Sequence, residues 1–264
     1  MTARPVRTEG IVLKSSPFGE ADLIVTYLTR DCGLLSVFAR SPRKTKSRFG
    51  SSLEPLTCAR ISFIGREQSP LPRLTQSDIG ESFQAIRDNY HCFLAVSELL
   101  EMNLRLLPER ERNDRFFTLL LATLRAVDAD KGNRLPPLYC KIRFLALSGY
   151  QPRLDSCGRC GSSERREMYR FFPTHGSVLC GKCPAGDGEA VSFSDRTLKV
   201  YRGLISWPVE AVSRVRVPAP ILDEMRSLVD RHLRAVLSKP LKSSDFTAAV
   251  PSLREPGRAL RVPV

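Results

Sequence analysis

Two cysteine doublets, Cys157-Gly158-Arg159-Cys160 and Cys180-Gly181-Lys182-Cys183, constrain this chain more than any other feature. A CxxC turn aims both of its sulfurs at one point, so four thiolates in two such turns can close a tetrahedron around one Zn²⁺. A site closed by four cysteines has no open position for water or substrate, which makes the metal structural rather than catalytic. The nineteen residues between the doublets suit a small zinc ribbon, with 168–172 and 177–179 as its short strands. Disulfides are the alternative. Against them, Met1-Thr2-Ala3-Arg4-Pro5 leads into no apolar signal segment, and no run approaches the ~20 apolar residues of a membrane span. A reducing, cytosolic compartment is the expectation, and there CxxC pairs favour metal. Cys32, Cys58, Cys92 and Cys140 are isolated and read as small buried hydrophobes, and His175 is a spare ligand that a complete cysteine set does not need.

The chain has 264 residues and 42% hydrophobic content, enough to bury a sizeable core in one large or two to three small domains. Its formal net charge of +13 favours an extended polyanionic partner. The excess is uneven, with 12 Lys and Arg against 7 Asp and Glu in residues 1–80, and 10 against 6 in 191–245. Its densest point is Arg40-Ser41-Pro42-Arg43-Lys44-Thr45-Lys46-Ser47-Arg48, which has five cations and no acid. A solvated loop is the bland reading of such a run, but it lies between two strand-like segments of a basic region and so reads as a phosphate contact. The phosphate-contact residues expected from it are Arg40, Arg43, Lys44, Lys46 and Arg48, with Lys14 in addition.

From residue 9 to about 79 the signals are short, β-rich and broken by turn residues. Segments 10–14, 23–28, 34–39, 57–64 and 73–79 predict five strands, with Asp31-Cys32-Gly33 as a hairpin turn. Five strands with a basic loop after the third suit an OB-type barrel, a fold repeatedly used for single-stranded nucleic acid; an SH3-like barrel would look similar. Phe18, Phe38 and Phe49 are candidates for base stacking, Phe38 being equally suited to a core. After Gly80 the apolar period becomes helical. Ile86, Tyr90, Phe93, Leu94, Leu100, Leu104 and Leu107 predict one long helix, Phe116, Phe117, Leu120, Leu124 and Val127 a second, and Leu138, Ile142, Phe144 and Leu145 a third that stops at Gly149. Beyond the cysteines, Leu198, Tyr201, Leu204 and Ile205 form a short face, and Ile221 to Leu237 the clearest one, with His232 beside it as an ordinary partly buried histidine. The expected organisation is α+β and multidomain. An OB-type barrel (1–80) precedes a helical domain (81–151 and 187–245) that is interrupted by a four-cysteine zinc-ribbon insert (152–186) and followed by a flexible tail (246–264).

Two catalytic readings fail on chemistry. Residues Gly176 through Cys183 resemble a GxxxxGK[ST] phosphate loop, but Cys183 stands where a hydroxyl should reach Mg²⁺, and Pro184, Gly186 and Gly188 oppose the helix that should follow. A zinc deaminase needs H-x-E, whereas His91, His175 and His232 are followed two places on by Phe93, Ser177 and Arg234. Neither HExxH nor GxSxG is present.

Several stretches in order carry a family resemblance. They are Glu9-Gly10-Ile11-Val12-Leu13, Gly19-Glu20-Ala21-Asp22-Leu23-Ile24, Thr29 with Gly33, Ala39-Arg40, and Ser47-Arg48 leading to Leu53-Glu54-Pro55. Later come Lys141-Ile142-Arg143-Phe144-Leu145, Gly149-Tyr150-Gln151-Pro152 before Cys157, then Phe172-Pro173 and Gly176 through Cys183. Over nearly all of the chain to about residue 245, this order resembles the bacterial RecO family of DNA repair proteins. The resemblance implies an N-terminal OB fold, a C-terminal helical domain and a zinc-finger-like insert whose cysteines vary among members. It implies a cytoplasmic, nucleoid-associated recombination mediator that is not an enzyme in the usual sense. Such proteins bind single- and double-stranded DNA, anneal complementary strands without ATP, engage the acidic, apolar C-terminal peptide of single-stranded DNA-binding protein, and work with RecR, often with RecF, to load RecA. The competing readings are an RNA-binding or transcription-associated zinc-ribbon protein and, disfavoured by the closed cysteine site, a zinc-dependent enzyme.

Overall fold

The structure is a computed structural model and describes residues 4–42, 49–65, 70–184, 188–237 and 239–243. Five strands form the first domain: β1 (Val6–Phe18), β2 (Asp22–Thr29), β3 (Gly33–Ala39), β4 (Cys58–Ile64) and β5 (Arg73–Glu81). They close as a barrel in the order β1-β2-β3-β5-β4, antiparallel throughout except where β3 meets β5 in parallel at Phe38 and Arg73. This is the OB-type barrel expected from the sequence, and each expected strand lies on an observed one.

Period-2 alternation explains the barrel's two cores. Val12, Val25, Tyr27, Leu35, Val37, Ile61 and Leu74 turn inward and fill the lumen. Their neighbours Ile11, Leu13, Leu28 and Leu34 point outward, yet they are buried as well, because the helical domain packs against that wall.

The helices are α1 (Gln84–Arg87), α2 (Tyr90–Leu106), α3 (Asp114–Ala129), α4 (Leu135–Leu147), α5 (Asp195–Ser206), α6 (Val209–Arg214) and α7 (Ala219–Val236). The first helix differs from the expected continuous stripe. Asn89 adopts an extended backbone and its side chain accepts from the Cys92 N–H at 3.1 Å, so the chain breaks there and α2 starts afresh. The restarted register buries Cys92, Val96, Leu99, Leu100 and Met102, and it leaves the expected core residues Tyr90 and Phe93 46% and 40% exposed. The remaining stripes fall as expected: Phe116, Phe117, Leu120, Leu124 and Val127 are buried on α3, and α4 ends before Gly149, where the Tyr150 N–H returns to the Leu145 carbonyl at 2.8 Å.

Lys141, on the buried face of α4, ties three helices together: its Nζ lies 2.6 Å from Glu98 on α2 and 2.7 Å from Asp230 on α7. Burial alone would pull this ammonium down, but Asp230 and Glu98 outweigh burial and hold it above the usual lysine value.

Between α4 and α5 lies a three-stranded sheet of order β7-β6-β8, formed by β6 (Met168–Phe172), β7 (Ser177–Val178) and β8 (Val191–Ser194). Tyr169, Phe171, Val178, Val191 and Phe193 join the helical core, so the sheet is fused to that domain, and its third strand lies beyond residue 186. His232 on α7 packs edge-on against Phe171 and is buried more deeply than expected, with Nε2 2.7 Å from the Tyr150 carbonyl. Among the described residues no helix is long and apolar enough to cross a membrane. The tail expected at 246–264 lies outside the described residues.

Two outcomes are expected. Gly33 turns the β2–β3 hairpin at φ 66°, and a Cβ there would sit 2.0 Å from the Glu111 carbonyl oxygen, so Gly33→Ala combines a left-handed backbone with a backbone clash. We expect a loss of at least about 2 kcal/mol in urea unfolding; an unchanged midpoint would mean that the 109–112 loop simply yields. Burial also holds the His232 imidazole below its ordinary pKa, against the opposing hydrogen bond to Tyr150. The unfolded ring therefore takes up a proton that the folded ring resists, and stability should drain away as pH falls below about 6.5. Unfolding curves at successive pH values should show this slope in the native protein and a shallower one in His232→Gln.

Candidate nucleic-acid interface and metal centre

The barrel register separates its two ends. Gly10, Thr29 and Gly33 lie together at the end that meets the helices, while Phe18 pairs with Asp22, and Leu23 with Ala39, at the other. Seven steps along β2, from Asp22 to Thr29, set these ends about 23 Å apart along the strand at about 3.3 Å per residue.

At the far end Phe18 is 52% exposed and meets the half-buried Phe38 edge to face, with ring centroids 5.9 Å apart. The Ser41 N–H donates to Asp22 Oδ1 at 2.6 Å, which sets the direction in which the chain leaves β3. Arg40 is exposed here and Lys14 is exposed midway along β1, opposite Thr26, and neither has a carboxylate partner among the described residues. Arg43, Lys44, Lys46 and Arg48 lie outside the described residues, in the segment between Pro42 and Phe49.

Two residues revise the expected set. Phe49 is only 4% exposed and belongs to the barrel lumen, so it cannot stack on a base. Its aromatic character next to a basic run reflects packing in the barrel core. Arg73 was not singled out, because one cation at the head of a strand carries no pattern. The parallel β3–β5 contact places it opposite Phe38, where it is exposed and unpaired among the described residues. The result is an exposed ring pair flanked by uncompensated cations.

The second site is the cysteine cluster. The sulfurs of Cys157, Cys160, Cys180 and Cys183 all lie within 4.8 Å of one another, and the Cys160–Cys180 pair is 3.6 Å apart. A tetrahedron with metal–sulfur bonds of about 2.3 Å has edges of about 3.8 Å, whereas a disulfide needs about 2.05 Å. The spacing thus fits a shared metal and not a bridge, and all eight cysteines of the chain are free. Backbone N–H groups aim at the sulfurs. The Cys160 N–H chiefly holds the Cys157 thiol down to about 6, with the Cys180 N–H, 3.3 Å away, adding to it. Sharing a proton with Cys180 and Cys160 pushes Cys183 up to about 12. Sulfurs this crowded are suited to a cation between them.

The knuckle that presents Cys157 and Cys160 is seated on β7. The Gly158 N–H donates to the Val178 carbonyl at 2.9 Å, and a Cβ on Gly158 would lie 2.1 Å from Ser177 Oγ, so only glycine permits this approach. Cys157, Phe172 and Leu179 bury a small core beneath the sulfurs. His175 is exposed and outside the cluster, and Cys180 and Cys183 sit in the metal knuckle, not in a phosphate loop.

Comparison with known proteins adds to this geometry. The family model described as Recombination protein O N terminal matches residues 1–83, and Recombination protein O C terminal matches residues 87–245. Among curated relatives, the DNA repair protein RecO of Thermodesulfovibrio yellowstonii is 41% identical over 239 residues, covering 87% of this chain and 92% of the relative. That of Roseiflexus is 34% identical over 247 residues, covering 93% and 86%, and that of Rubrobacter xylanophilus is 36% identical over 232 residues, covering 87% and 91%. With both halves matched, in the order in which barrel and helices follow one another along the chain, the protein belongs to the RecO family.

Proposed function

We propose that the protein is a recombination mediator in DNA repair, which binds single- and double-stranded DNA, anneals complementary strands without ATP and, with RecR and in company with RecF, helps to load RecA on DNA coated with single-stranded DNA-binding protein. The observation that carries this reading is the free end of the barrel, where the Phe18–Phe38 ring pair stands beside Arg40 and Arg73, at the end of the strand from which the sequence runs into the cation-rich 43–48 stretch. Each cation set against a phosphate releases condensed counterions, and an exposed ring offers a stacking face to any base. Annealing needs two polyanions to approach, which charge screening achieves without a catalytic centre. The acidic peptide of the single-stranded DNA-binding protein is assigned to the helical domain, whose 191–245 region is rich in Arg and Lys. The four cysteines hold Zn²⁺ as a structural ion, with all four positions taken by sulfur.

Reversal of Arg43 and Lys44 to Glu should weaken binding to single-stranded DNA by about tenfold or more at moderate salt and flatten its salt dependence, with the fold intact. Phe18→Ala should weaken binding to single strands by about 1–3 kcal/mol and change the salt slope little, because stacking releases no counterions. Annealing on DNA coated with single-stranded DNA-binding protein should fail with the reversal, and native affinity in the reversed protein would remove this end of the barrel from the mechanism. For the metal, the purified protein should carry one equivalent of zinc, lost in Cys157→Ser/Cys180→Ser; a fully folded, metal-free native protein would sink the assignment.

A further inference from the structure

A cleft of about 340 Å³ opens between the thiol knuckle and α7. Its size falls at the lower end of the range of about 300–1,000 Å³ that small-ligand sites occupy. Arg153 and Arg159 stand at its rim, both exposed and without a carboxylate partner among the described residues, and no acidic residue lines the cleft. Both are carried on fixed backbone. The Arg153 N–H donates to the Gly176 carbonyl at 2.8 Å, its carbonyl accepts from Val178 at 3.1 Å, and Arg159 lies inside the first cysteine doublet.

His232 forms part of the wall and is 95% buried, at 5% exposure. Its Nε2 faces the Tyr150 carbonyl at 2.7 Å, and a carbonyl only accepts, so Nε2 carries the proton. Nδ1 is left as a lone-pair acceptor, buried and without a partner among the described residues. The cleft therefore offers cations at its mouth, and the imidazole in its wall keeps Nδ1 closed to solvent. Tyr150, 47% exposed, adds an aromatic face to the lining. A lone phosphate would answer the arginines but leave the Tyr150 ring bare, whereas a nucleotide brings a phosphate and a base together.

We propose that this cleft holds one nucleotide unit of a single-stranded nucleic acid, its phosphate on Arg153 and Arg159 and its base against Tyr150. The inference deepens the nucleic-acid reading above by adding a second contact, remote in sequence from the barrel loop. A protein that grips one strand at the barrel and a nucleotide beside the metal module has two holds on DNA, which is what bringing two strands together requires.

The test uses the zinc-loaded full chain, with deoxyadenosine 5′-monophosphate, inorganic phosphate and an oligothymidylate as probes. The mononucleotide should shift the Tyr150 ring resonances and bind at least about tenfold more tightly than phosphate, and Arg153→Gln/Arg159→Gln should weaken it by about tenfold or more. Arg153→Gln, away from the metal doublet, repeats the measurement if the double variant loses zinc. Tyr150→Ala should weaken the mononucleotide and leave phosphate unchanged. Equal binding of phosphate and mononucleotide, indifference to the arginine substitutions, or displacement by an acidic peptide that binds more tightly would overturn the proposal. The Arg43→Glu/Lys44→Glu protein separates the two readings. Loss of oligothymidylate binding in it, with a native protein that ignores the mononucleotide, sinks the cleft alone. Mononucleotide binding at the cleft, with oligothymidylate binding unharmed by the loop reversal, sinks the barrel end alone.

Discussion

The outer wall of β1, β2 and β3 is apolar where the helices meet it, and the rest of the architecture depends on that double burial. Ile11, Leu13, Leu28, Leu34 and Leu56 enter the core of the helical domain, while the residues alternating with them fill the barrel. At about 1.5–3 kcal/mol for each buried aliphatic side chain, these five contribute on the order of 10 kcal/mol to the junction, an upper figure comparable to the stability of a whole domain. Polar groups then set the junction's register: the Arg110 N–H donates to the Leu34 carbonyl at 2.8 Å, and the Arg30 guanidinium lies over the Phe117 ring at 4.7 Å. Barrel and helices thus form one body, and the end of the barrel that carries Phe18 is the end that this packing leaves uncovered.

The same alternation explains how much could be read without coordinates. The barrel was legible because period 2 and the turn at Asp31-Cys32-Gly33 are local signals, and the metal site because a CxxC turn has few other uses in a reducing compartment. The restart of α2 was missed because the apolar residues on both sides of Asn89 fit one helical stripe, and only the capping bond of its side chain shows that there are two helices. β8 is four residues long and finds its partner β6 more than twenty residues away, too little sequence and too much separation for alternation to register. Arg73 and His232 draw their meaning from what the fold sets beside them: the Phe38 ring in one case, the Tyr150 carbonyl and an unanswered Nδ1 in the other.

Charge is handled differently inside and outside. Exposed pairs such as Arg30–Glu9 and Arg202–Asp155 are screened and contribute little each. Lys141 is different, because Glu98 and Asp230 reach one buried ammonium from two other helices, so the meeting of α2, α4 and α7 is specified by charge as well as by shape.

The insert is built on two footings. Its sheet sinks Phe171 and Phe193 into the helical core, whereas its thiol tip rests on little more than Cys157, Phe172 and Leu179. Stripped of its metal, the tip is therefore a separate cooperative unit with a shallow free-energy well of its own, able to open while the sheet remains shut. Amide exchange in the metal-free protein should be graded across a few residues, fast at the knuckles and slow along β6. Oxidative damage to the thiols would accordingly be a local wound to the protein, leaving the barrel and the helical body standing.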